Sequence, residues 1–195
     1  MKTLILVLML STMAYGVDSV TAFAGIPYGS STTFVEATLT ENGFTRDSRG
    51  EAVVRSTPGF RQTDAVYEGS ILSHKARIVV FFDDNGGAVK FAIMFRGLDH
   101  KVIKVFDEFR AAYKEKYGKP NRDCKLFGQP FSEGDGYELT AIQTGKAVFA
   151  CIWDYEGSGG ISIGIDSGLT LTIAYESTMW SDEVDRRQKP SKDLL

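Results

Sequence analysis

DHKVIKVFDEFRAAYKEKYGKP, residues 99–120, is the stretch whose reading decides the fold. Val102, Val105, Phe106, Phe109, Ala112, Tyr113 and Tyr117 recur at helical spacing, and Lys101, Lys104, Glu108, Lys114 and Glu115 fall on the other side. Asp99 stands where an N-cap belongs, Gly118 where a helix ends in a left-handed residue, and Pro120 forbids continuation. A helix with one apolar stripe has to bury it, and the flanking segments supply strands to bury it on.

Downstream, a polar loop over Asn121–Gly136 leads to predicted strands at Tyr137–Gln143, Lys146–Tyr155, Gly160–Ile165 and Leu169–Glu176. Thr144-Gly145 and Asp166-Ser167-Gly168 separate them so tightly that the pairing should be antiparallel. Upstream, the same order appears in weaker form. Ser31–Gly43 reads as a short helix with Thr33 and Glu36 at capping-box spacing, Val35 and Leu39 on one face and Gly43 as its stop. Strands are then predicted at Glu51–Arg55, Asp64–Leu72, Lys75–Phe82 and Ala88–Phe95, the last two joined by the turn Asp83-Asp84-Asn85-Gly86-Gly87. Helix then strands, twice, predicts an α+β fold: one antiparallel sheet with two helices on one face, built as two halves.

The ends read differently from the middle. Lys2 followed by the apolar run Thr3–Leu10 and then small residues has the pattern of a secretory signal peptide over residues 1–16, with an alternative end at 24. The run is too short for a permanent span, which needs roughly 20 apolar residues. Residues 17–180 are expected to form one domain, and 181–195, rich in both charges, a flexible polar tail. A periplasmic or secreted location follows, with no membrane span after cleavage. Lysine and arginine (22) nearly balance aspartate and glutamate (25) and form no block, so no nucleic-acid partner is expected. Cys124 and Cys151, the only cysteines, form a candidate disulfide in an oxidising compartment; the alternative is that Cys151 is a small core residue of an apolar strand.

Motifs that would carry chemistry are weak. Gly160-Ile161-Ser162-Ile163-Gly164 has the spacing of a nucleophile elbow, but it lies within a strand, and no histidine follows His100. His74 and His100 lack metal-ligand spacing, and the aspartates at 83–84 lack that of a calcium loop. Glycines 157, 159 and 160 precede a strand and not a helix, so they read as turn residues. No catalytic, metal or cofactor residue is assigned. The strands Lys75–Phe82 and Ala147–Tyr155 are apolar on both faces, so Val79, Phe81, Val148 and Ile152 form a candidate interaction face unless loops or the tail cover it.

Phe23-Ala24-Gly25-Ile26-Pro27-Tyr28-Gly29-Ser30-Ser31, with Val35, Leu39 and Asn42-Gly43-Phe44 after it and Lys116-Tyr117-Gly118-Lys119-Pro120 later, resembles a group of exported bacterial proteins. Their mature regions open with a "GIPWG-S" string, and the likeness covers about two-thirds of the chain. It implies an envelope protein and a fold, not an activity. The tandem plan is also similar, in architecture alone, to β-lactamase inhibitory proteins. Together these readings favour an exported, non-enzymatic module that binds an unknown protein or small ligand. The alternatives are a hydrolase using Asp135, Glu138 and Asp154, or a structural envelope protein.

Overall fold

The structure is a computed structural model that describes residues 20–57 and 59–188. The segment assigned to a signal peptide therefore lies outside the described residues up to position 19. The described chain opens with a small ribbon of β1 (Ala22–Phe23) and β2 (Ile26–Pro27). Then come α1 (Thr32–Glu41), β3 (Thr45–Arg46), α2 (Ser48–Arg55), β4 (Ala65–Ile71), β5 (His74–Phe82) and β6 (Ala88–Phe95). A 3-10 turn at Asp99–Lys101 leads into α3 (Val102–Tyr117), followed by β7 (Arg122–Phe127), α4 (Glu138–Gln143), β8 (Ala147–Tyr155), β9 (Gly159–Ile165), β10 (Leu171–Glu176) and α5 (Trp180–Gln188).

Strands β3 to β10 form one antiparallel sheet in the order β3-β4-β5-β6-β10-β9-β8-β7. Each half runs inward from its own edge, and the halves meet where β6 pairs with β10, from Phe95↔Leu171 to Lys90↔Glu176. The predicted α+β architecture is therefore present, with α1 and α3 on one face. Their stripes, Val35 and Leu39 from α1 and Val102, Val105, Phe106 and Phe109 from α3, meet sheet residues such as Tyr67, Phe91, Phe95, Trp153 and Ile163 in one large core. Each large apolar side chain buried there contributes about 1.5–3 kcal/mol. Phe23 of β1 joins this core, its ring 5.0 Å from both Phe91 and Tyr175, so a chain cut at 24 would lack a core aromatic.

Four expectations need correction. Glu51–Arg55 is helical, not a strand: Asp47 caps Gly50 N at 2.9 Å and Glu51 bridges Arg55 one turn on, which outweighs the strand preference of Val53 and Val54. Tyr137–Gln143 is largely the helix α4, turning Ala141 and Ile142 into the core, and the strand of this region is β7, inside the predicted loop. α3 begins at Val102, because Asp99 takes φ +45° at the head of the 3-10 turn and offers no side-chain cap. Residues 181–188 belong to α5 and are not a frayed tail; Asp182 and Glu183 in its first turn and Arg186 and Arg187 in its last match the helix dipole.

The candidate disulfide is also absent. Cys124 pairs across the ladder with Ala150, whereas Cys151 pairs with Asp123, so the two thiols are offset by one residue and point to opposite faces. Both cysteines are free.

Candidate functional site

On the face away from α1 and α3, side chains form rows across the strands. One row passes from Ile152 through Ser162 and Ala174 to Ala92, Val79 and Val66; a parallel one passes from Ala150 through Gly164 and Thr172 to Met94 and Arg77. The half belonging to β4–β6 is roofed. Val66, Val79, Phe81, Val89 and Ala92 form a second, smaller core beneath Val54 of α2, Phe60 and Trp180 of α5. The Phe81 ring is held between Phe60 at 5.1 Å and Trp180 at 5.0 Å. Lys90 Nζ lies 4.4 Å from the Trp180 ring and 2.6 Å from Glu176.

A buried charge network fastens this roof. Arg187 donates to both oxygens of Asp64 (2.6 and 3.0 Å), to Glu183 Oε1 (2.8 Å) and to the Phe82 carbonyl (2.7 Å). The Asp64 and Arg187 side chains are only 2 % and 3 % exposed, so the pair needs each of these bonds to offset its desolvation. Asp64 also accepts from Arg61 N and Phe82 N, which welds α5 to the loop before β4 and to the end of β5.

Over β7–β10 no such roof is present among the described residues. Val148 is 52 % exposed, Leu126 of β7 60 % exposed, and Ile152 half-buried, whereas Val79 is 1 % and Phe81 8 % exposed. The four residues singled out from the sequence thus fall into two settings: Val79 and Phe81 are enclosed, and Val148 and Ile152 stay open. Between the two open residues the floor is made of small side chains, Ala150, Ser162 and Gly164, in a shallow depression of about 340 Å³. Ile152 and Ser162 are shared with an adjoining open trough of about 580 Å³ whose far wall is Trp180 and Val184 of α5. Leu126 and the α5 wall were missed by sequence reasoning. The Glu183–Arg187 spacing was the signal that could have revealed the wall.

The groups that could carry catalysis lie apart from one another among the described residues. Ser162 lies in mid-strand between Ile152 and Ala174, without the strand-to-helix turn of a nucleophile elbow. His74 is 3.8 Å from Glu108 of α3, and His100 lies in the turn before α3, so both belong to the other layer. Asp135 and Glu138 accept bonds from Ser132, Tyr137 and Gly134 amides within their own loop, while Asp154 sits at the far end of β8, so the three nominated acids do not converge. Cys151 donates to Asp123 at 3.0 Å; burial first, and then that carboxylate, push its thiol up to about 12, which keeps it protonated. Asp123 is held far below the usual carboxylate range by hydrogen bonds from Arg110, with Lys114 and Cys151 assisting. Among the described residues no three histidine, cysteine, aspartate or glutamate side chains gather as a metal site, and no helix is long and apolar enough to cross a membrane. No family model, no curated protein and no solved structure matches this chain.

Proposed function

We propose that this chain is an exported, non-enzymatic binding module of the bacterial envelope that receives a protein partner on the open sheet face of β7–β10. The observation that carries the reading is the bare apolar ground around Val148 and Leu126, beside a floor of Ala150, Ser162 and Gly164 that leaves room for a partner's side chains. A flat floor of this kind favours recognition over turnover, because nothing on it is set to hold a reacting atom near a nucleophile or a base. The trough beside Trp180 adds an aromatic wall with Asp154, Glu176 and Asp185 along it, suited to a partner that brings apolar and basic side chains together.

The test is capture of partners from envelope extract by the immobilised chain, compared with the double variant Val148→Asp/Ser162→Arg. The expected result is a reproducible partner that the variant loses while its thermal unfolding stays unchanged. Equal capture by both proteins, or turnover in an esterase, glycosidase or phosphatase panel, reverses the reading.

A further inference from the structure

The two edges of the sheet are unlike. β3 is only two residues long, a length that leaves little backbone to pair with. β7 spans six residues, pairs with β8 without a register shift, contains no proline, and among the described residues has no strand on its outer side. A lysine often guards such an edge, but Lys125 is drawn aside onto Asp107 of α3 at 2.8 Å.

The direction of the free backbone groups follows from the ladder. Gly128 N donates to the Lys146 carbonyl at 2.6 Å, continuing the register in which Leu126, Cys124 and Arg122 face Val148, Ala150 and Ile152. Residues of that parity turn their amides to β8, so Asp123, Lys125 and Phe127 turn theirs outward. We propose that this outer edge pairs antiparallel with the same edge of a second copy, about a two-fold axis at Cys124, joining two sheets into one.

Self-complementarity selects the occupant and the register. With the axis at Cys124, each Asp123 lies opposite a Lys125, and these outward-turned residues form the hydrogen-bonded pairs. The charges then alternate across the junction: Asp107, Lys125, Asp123 of the other copy and its Arg110. Moving the axis by one residue toward either end sets Lys125 against Lys125 or Asp123 against Asp123, and directly opposed like charges are destabilising. On the open face, Leu126 of each copy comes opposite Arg122, whose methylene stem covers it. Cys124, half-buried and free, lies on the axis at a non-hydrogen-bonded position, where facing Cα atoms are about 4.5 Å apart, inside the range a disulfide spans. This pairing covers Leu126 but leaves Val148 and the floor of Ala150, Ser162 and Gly164 open, and it does not rest on the partner proposed for that face.

The experiment measures mass against concentration by light scattering under reducing conditions, then adds glutathione disulfide. Two Cys124 thiols would give up their protons and two electrons to that oxidant, yielding one intermolecular disulfide and two molecules of glutathione. The expected results are a reversible dimer, a covalent dimer whose linking peptides both contain Cys124, and a Cys124→Ser variant that stays dimeric but loses the link. Lys125→Pro removes an outward amide without touching the β8 ladder and should weaken association about tenfold or more. Lys125→Glu, which sets like charge against Asp123 of the other copy, should act in the same direction, and thermal unfolding of both variants separates lost association from a folding defect caused by losing the Asp107 contact. A monomer at every concentration, or a dimer unaffected by both substitutions, overturns the proposal; a dimer that they weaken but that never links through Cys124 overturns its register.

Discussion

The two halves of the sheet share a strand plan and part company behind it. Between its first and second strands each half inserts a helix, α2 in one and α4 in the other. α4 turns Ala141 and Ile142 toward the main core, whereas α2 lies on the opposite face with Val54 over the second core. α5 then adds its cover to the same half as α2. The strand residues agree with this division: β4–β6 carry Val66, Val79 and Phe81 under the roof, while β8 and β9 carry Ala150, Ser162 and Gly164 in the open. Large apolar side chains on a second face accompany a cover, and small ones accompany its absence. Val148, Leu126 and the half-buried Ile152 break that rule, and this makes their surroundings the place to look for a partner.

The sharpest way to break the comparison is Arg187→Ala, which leaves the buried Asp64 without its guanidinium and Glu183 with only Arg61 and Arg186. Denaturant unfolding should show a loss of about 3–5 kcal/mol, and an effect below about 1 kcal/mol would mean that the roof is loosely held. Next is a matched pair. Val79→Ala should cost about 1–3 kcal/mol by opening a cavity under Phe81, while Val148→Ala should stay within about 0.5 kcal/mol; similar values for both would erase the distinction between the faces.

Alkali offers a gentler probe. Burial pushes the Tyr67 hydroxyl, in the first half, from an ordinary 10.0 to about 12, and it pushes Tyr113 and Tyr175, at the junction with α3, upward as well. The folded state keeps protons that the unfolded chain has lost, so this stabilisation is complete below pH 10 and declines as pH rises toward 12, which unfolding curves across that window would register. The smallest effect belongs to the second half. Asp123 is depressed by Arg110, so its contribution is complete above about pH 4 and is lost only on further acidification; Asp123→Asn should flatten that acid limb.

How much of this was legible in the sequence depended on distance along the chain. α3 declared itself because its stripe and its stop lie within twenty residues. β5 and β8 both read as apolar on both faces, and nothing local separates them, since what roofs β5 is Trp180 and Arg187, about a hundred residues away. β7 escaped notice because Asp123 and Lys125 occupy its inward positions. Charges there are tolerated only because Arg110, Lys114 and Asp107 on the flank of α3 meet them. The open face was legible in Val148 and Ile152, but its extension to Leu126 was hidden with the strand that carries it.

The bond from Arg187 to Asp64 spans 123 positions. During synthesis β4–β6 emerge long before the helix that roofs them, so Phe81 and Val79 stay wet until Trp180 to Arg187 have been translated. The ribosome therefore sets how long that face waits for its cover, and folding of this half is timed by the arrival of α5.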